Sequence, residues 1–269
     1  MNKPALDPRL TRDETTQVVE GLVTGWTIPE EVPQGLSTAI VPNSECPEGA
    51  QFTARTLHTL VLRSRPRTLV VLSSEDIEKP ELVAMGQIQT ALGASSVDER
   101  LAARIASELG TSLEIVSGDS KNILSLQRMV PLLCQVLAPG CRFVPIILPR
   151  ESTHESTHEF TPEKLGAKLG SILQTEQGAC LIAGFQLPKR EKLGSSDSVS
   201  DDASIIRHIL EPDTKSLMTS SMLVNIQDFS PVVVAVEHSQ KRHAQRGFLL
   251  EHGSVGKQDQ QRGAASLVL

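Results

Sequence analysis

The sequence predicts an α/β fold, a layered sandwich in which a central mixed, mostly parallel sheet is flanked by helices. Three observations lead there. Thr68 to Leu72 (TLVVL), Phe143 to Leu148 (FVPIIL) and Ala179 to Ala183 (ACLIA) are short, continuous apolar runs, the pattern of strands buried on both faces. Stretches with helical periodicity separate them, so strand, loop, helix and strand alternate along the chain. The alternation is most compact in Asn122 to Leu148. There Leu126, Val130, Leu133 and Leu137 make one helical face, Pro139-Gly140 stops the helix, and the Phe143 strand follows at once.

Taken in order, residues up to about Asp13 are polar and proline-containing and read as a loose arm. Thr15 to Trp26 forms a short amphipathic helix through Val18, Val19, Leu22 and Val23. Residues 1–35 are thus an N-terminal arm and short helix ahead of a single α/β domain over residues 36–269. Leu36 to Val41 is the first strand, halted by Pro42, and the NSECPEG loop leads into a helix from Ala50 to about Arg63. Glu75 to Gly93 shows no clear period. Ser96-Val97-Asp98-Glu99 has capping-box spacing ahead of a helix through Ala102, Ile105 and Leu109, and Leu113 to Val116 is a short strand. Pro131 lies inside the next helical pattern, where it removes a backbone donor and predicts a kink or a join between two helical turns. Thr161-Pro162 opens another helix, with proline suited to its first turn. Leu187 to Asp202 is lysine-, glycine- and serine-rich and reads as a mobile loop, most disorder-like at GSSDSVSDD. Helices around Ile205 to Leu210, Thr214 to Leu223 and Pro231 to Gln245, then strands at Phe248 to Glu251 and Ala265 to Leu269, close the chain.

Composition narrows the function classes. With 269 residues the chain is long enough to bury a full core. Its net charge is −6 and both signs are spread along it, so no basic stripe offers itself to a phosphate backbone. Six Phe, one Trp and no Tyr are few rings for a surface that stacks bases or sugars. Nucleic acid is therefore not an expected partner. Cys46, Cys134, Cys141 and Cys180 lack CxxC spacing and read as reduced, mostly buried thiols. The N-terminus has no apolar signal core and no window approaches a membrane span, so a cytoplasmic protein away from the membrane is expected.

Ile123 to Leu133 (ILSLQRMVPLL), followed after a turn by Val144-Pro145-Ile146, resembles the E-H-S-L-E-x-x-L-P-F-L … V/I-P-I pattern of the Memo-like family. That family includes the AmmeMemoRadiSam system protein B proteins and resembles the class III extradiol dioxygenases in fold. Ser125, Leu126, Pro131, Leu133 and Pro145 match, whereas the family's Glu-His pair reads Ile123-Leu124. Further segments follow in the same order. Ala39 to Asn43 is similar to the strand ending in P-H-A-G, which places Asn43 at a histidine ligand; Val70 to Asp76 is similar to V-I-L-G-P-S-H, which places Asp76 at a second histidine. Thr90-Ala91-Leu92-Gly93 with Val97-Asp98 is similar to T-P-L-G … V-D. Leu181 to Lys189 falls where the family has S-S-D-x-x-H, with Gln186 for the aspartate and Lys189 for the histidine, and Gln227 falls at the cysteine of C-G-x-x-P. The candidate cleft is therefore Asn43, Asp76, Leu124, Gln186, Lys189 and Gln227.

Transition metals want imidazole, carboxylate or thiolate lone pairs, and this set supplies amides, one carboxylate and an ammonium. The resemblance thus implies a family member that has lost its metal ligands, holds no cofactor, and works as a binding or assembly protein with a protein partner. The Lys189 charge would stand in the metal's place and pair with Asp76, with Arg190 or Glu75 as the neighbouring choices. The alternative is an enzyme: a metal-dependent oxidoreductase of the family's type with an atypical site, or a zinc peptidase through His154-Glu155-Ser156-Thr157-His158, a formal H-E-x-x-H. That motif is part of a tandem ESTH repeat without apolar flanks, and it reads first as a solvated loop. His58, His208, His238, His243 and His252 read as surface or satisfied core residues. Gly253 to Lys257 lacks phosphate-loop spacing and reads as a turn, and neither G-x-S-x-G nor G-x-G-x-x-G is present.

Overall fold

Strands buried on both faces need helices on both sides, and the chain supplies them. The computed structural model describes residues 10–43, 47–118, 126–150, 161–187, 196–219, 229–255 and 262–269. Helix α1 (Arg12–Val23) starts earlier than its apolar period, because Thr11 and Glu14 form a capping box: each takes the other's backbone N–H. Val19 and Leu22 then enter the core. Strand β1 (Thr38–Pro42) leads to α2 (Pro47–Ser64) and β2 (Thr68–Glu75). The stretch without a period contains β3 (Glu81–Met85) and a hairpin of β4 (Gln87–Thr90) and β5 (Gly93–Ser96), punctuated by Gly86 and Gly93, both at positive φ.

Helix α3 (Glu99–Leu109) is capped by Asp98 rather than Ser96, which is occupied in the hairpin opposite Gln87. Asp98 accepts from the Leu101 N–H at 3.1 Å and from the Thr68 hydroxyl at 2.6 Å, so the cap also ties α3 to β2. After β6 (Glu114–Ser117), helix α4 (Leu126–Leu137) runs continuously through Pro131. Proline there lacks only the N–H that would reach the Gln127 carbonyl, near the start of the helix, so one backbone bond is lost. Strand β7 (Arg142–Pro149), α5 (Pro162–Gln174, capped by Thr161) and β8 (Ala179–Phe185) follow as expected.

The last third departs further from expectation. Helix α6 (Ser196–Leu210) begins inside the segment that composition marks as a loop. Ile205, Ile206 and Ile209 are buried and Asp202 is held against His252, so this polar helix start gains anchors that its own composition does not reveal. Residues 188–195 lie outside the described residues. Helix α7 (Thr214–Thr219) is followed by residues that also lie outside them, and α8 (Phe229–Lys241) stops short of Gln245 because His243 adopts φ 60°. Strand β9 (Phe248–Val255) carries Gly253 to Val255 in regular pairing with β10 (Arg262–Val268), where a turn is expected from sequence.

The eight strands lie in the order β6-β3-β7-β2-β8-β1-β10-β9, with β4 and β5 forming a separate pair. Strands β7, β2, β8 and β1 are parallel, with Leu72 opposite Ile146 and Ala183, and Ala183 opposite Ile40. Polarity reverses on either side, where β3 runs antiparallel to β7 and β10 antiparallel to β1. The sheet is therefore mixed and mostly parallel, flanked by helices. Helices α1, α2 and α4 pack together over one face, and α3, α5 and α8 over the other. Helix α8 rests on the four central strands and on α5. The α5–α8 approach depends on small residues, since a Cβ on Gly166 would stand 2.7 Å from the Val234 carbonyl oxygen, and one on Gly170 would meet the Lys241 side chain.

Candidate functional site

Parallel β1, β2, β7 and β8 deliver their carboxyl ends, Pro42, Glu75, Pro149 and Phe185, to one edge of the sheet, where open α/β sheets place their ligands. Asn43 and Gln186 meet there. The Asn43 N–H donates to the Phe185 carbonyl at 2.8 Å, and the Gln186 side-chain amide donates to the Asn43 carbonyl at 3.2 Å. Gln186 therefore ties β8 to β1. Below them Leu126, fully buried, packs into the space over Gly184, where a Cβ would stand 2.8 Å from its methyl group and 3.3 Å from the Asn43 Cβ.

Asp76 lies farther along the same edge and points outward, with a side chain 85% exposed. Arg150 stands 3.5 Å from Asp76 and 3.8 Å from Glu75, and its backbone N–H donates to the Glu75 carbonyl at 2.8 Å. Among the described residues Arg150 is thus the cation beside both carboxylates. Leu124, Lys189 and Gln227 lie outside the described residues, as do Arg190 and the His154-Glu155-Ser156-Thr157-His158 motif. The structure brings Asn43 and Gln186 together and leaves Asp76 apart on the surface. Among the described residues no three His, Cys, Asp or Glu side chains converge as a metal site would need. Of the candidate set, the described side chains are an amide engaged with the backbone at Gln186 and an exposed carboxylate beside an arginine at Asp76, neither of which makes a transition-metal site with its described neighbours.

Two polar groupings escape sequence reasoning. The first lies on the same edge. Asp202, on α6, is 2% exposed and stands 3.3 Å from Nε2 of His252 on β9, with Gly263 of β10 beneath. The carboxylate fills the place a Cβ at residue 263 would take. Nothing local links these residues, which are brought together only by the pairing of β9 with β10 and the seat of α6 above it.

The second lies at the opposite edge, beneath the start of β1. His238 of α8 is fully buried, with Nδ1 2.9 Å from the Thr38 hydroxyl, and Ser239 donates to that same hydroxyl at 2.9 Å. Its Nε2 has no hydrogen-bond partner among the described residues. Burial, followed by the nearby Arg242 charge, pushes the imidazole down to about 3, so it is neutral at physiological pH. Two buried thiols are likewise held in their neutral form: burial pushes Cys180 up to about 12, and a hydrogen bond to Cys141, followed by burial, raises Cys134.

No family model and no curated protein matches this sequence. In three dimensions the chain is similar to the crystal structure of the uncharacterized protein JW3007 from Escherichia coli K12. The likeness has a TM-score of 0.56 at 11% sequence identity and covers 86% of this chain and 99% of that one. At such identity it concerns the fold alone. No helix among the described residues is long and apolar enough to cross a membrane.

Proposed function

We propose that this chain is a degenerate relative of the Memo-like family whose strand-end cleft no longer takes a metal, and that it serves as a binding or assembly protein for a protein partner. One observation carries the reading: Gln186, at the place of the family's aspartate, spends its amide on the Asn43 carbonyl at 3.2 Å, while Leu126 fills the space over Gly184. The Gln186 side chain, which would have to face an ion, is turned to holding β8 against β1. The order of the matching segments along the chain and the α/β fold support the family assignment; the chemistry of the substituted positions supports the loss of the metal.

Elemental analysis tests it. The full chain, produced with iron, copper and zinc in the medium, is expected to carry only substoichiometric amounts of each. A stoichiometric metal that disappears in Asp76→Ala would overturn the reading in favour of an atypical oxidoreductase, and one that disappears in His154→Ala would favour the zinc peptidase. Capture of partners from the native source, identified by mass spectrometry, then addresses the assembly role.

A further inference from the structure

The edge of the sheet opposite the proposed cleft holds a cavity of about 370 Å³, bounded by the approach to β1 and by the turn between α8 and β9. Its size falls in the range of small-molecule sites. Pro33, Leu36, Phe248 and Leu269 supply apolar wall, and Arg242 and Arg246 supply charge; no Asp or Glu side chain is among the lining residues, and the Leu269 carbonyl is taken up by the Ser37 and Thr38 N–H groups. The Arg246 guanidinium lies over the Phe248 ring, its carbon 4.8 Å from the ring centre. Arg242 is fixed by donating to the Leu173 carbonyl at 3.3 Å, through one of its five N–H groups. On the cavity wall the Ser37 hydroxyl lies 3.4 Å from that of Thr38, the start of the buried chain through Thr38 to His238 and Ser239.

A concave site that joins apolar wall, fixed cations and a buried hydroxyl–imidazole chain has the make-up of a binding pocket. We propose that this cavity binds a small organic monocarboxylate, its carboxylate held by Arg242 and Arg246 and its apolar body laid against Leu36 and Phe248. Guanidinium groups match a carboxylate in two-point geometry, and charged hydrogen bonds of this kind are stronger than neutral ones. The charge is local, for the chain as a whole is acidic at −6. The site does not depend on the metal question, so a failed metal test would leave it standing, and its own failure would leave the proposed function untouched.

Calorimetric titration of the full chain with benzoate, octanoate and inorganic phosphate provides the test. Benzoate or octanoate is expected to bind saturably and phosphate at least about tenfold more weakly, because it has no apolar body to bury. Arg246→Ala, at an exposed position that the fold does not need, is expected to weaken carboxylate binding about tenfold or more, as loss of a charged hydrogen bond does, with Arg246→Lys intermediate. Arg242→Ala should act in the same direction, and Arg104→Ala, which removes a partner of Glu176 elsewhere, should change nothing. If Arg242→Ala does not fold, Arg246→Ala decides alone. Absence of saturable carboxylate binding, binding unmoved by Arg246→Ala, or phosphate binding as tight as benzoate would each overturn the proposal.

Discussion

The two edges of the central sheet use their polar groups differently. At the carboxyl edge the amide of Gln186 serves the backbone of Asn43, and the Asp76 carboxylate reaches solvent beside Arg150. At the amino edge a histidine is sealed inside the protein in its neutral form, bonded to Thr38 across nearly the whole sequence, and α5 is pressed against α8 through Gly166 and Gly170. Around Asn43 and Gln186 the first arrangement ties strands together through neutral groups. The second stores an electrostatic cost, since it excludes a proton that water would give the imidazole on mild acidification. Position relative to the strand ends points to one edge, whereas perturbed ionisation points to the other.

The comparison can be broken by substitution. The largest effect is expected from Gly170→Val, which drives α5 off α8 beside His238 and should cost about 3 kcal/mol in urea unfolding, as overpacking of a close contact does. At the carboxyl edge Leu126→Ala should cost about 2–3 kcal/mol, the usual loss for a buried leucine whose surroundings partly collapse. If it costs nothing, Leu126 is not a filler and the crevice between β1 and β8 is open.

Acidification should separate the edges without mutation. His238 has a folded pKa near 3 against 6.5 for a free imidazole, so the unfolded chain takes the proton first. Its contribution is complete above about pH 6.5 and is lost as pH falls toward 3, amounting to roughly 2 kcal/mol between pH 7 and pH 5. His238→Gln should flatten that part of the stability profile, and an unchanged profile would show that the imidazole is not sealed. The smallest effect belongs to Asp76→Ala: an exposed ion pair of this kind contributes less than about 0.5 kcal/mol, measurable as an almost unmoved midpoint.

These contrasts also show what the sequence can carry. Strands β2, β7 and β8 and helix α4 are legible because each holds a run of apolar residues whose period needs no partner to be seen. The capping box at Thr11 is written in the sequence as T-x-x-E but sits before the apolar period begins, so a search led by hydrophobic spacing starts the helix late. The start of α6 is not legible, since serine and aspartate dominate it and what holds it, His252 and the β10 glycine, lies fifty residues or more away. Asn43 and Gln186 are singled out in the sequence by the resemblance of their segments to the Memo-like motifs, just after two apolar runs of strand length. Their bond to each other is a property of the sheet order, as is the link between Thr38 and His238.

The seat of the Asp202 carboxylate over Gly263 has a consequence for how such chains can vary. An acid at the first position and any larger residue at the second compete for one volume, so the second cannot grow while the first stays acidic. Related chains should therefore show paired outcomes, acidic with glycine or small and neutral with alanine, and a library randomised at both positions should return the same linked solutions.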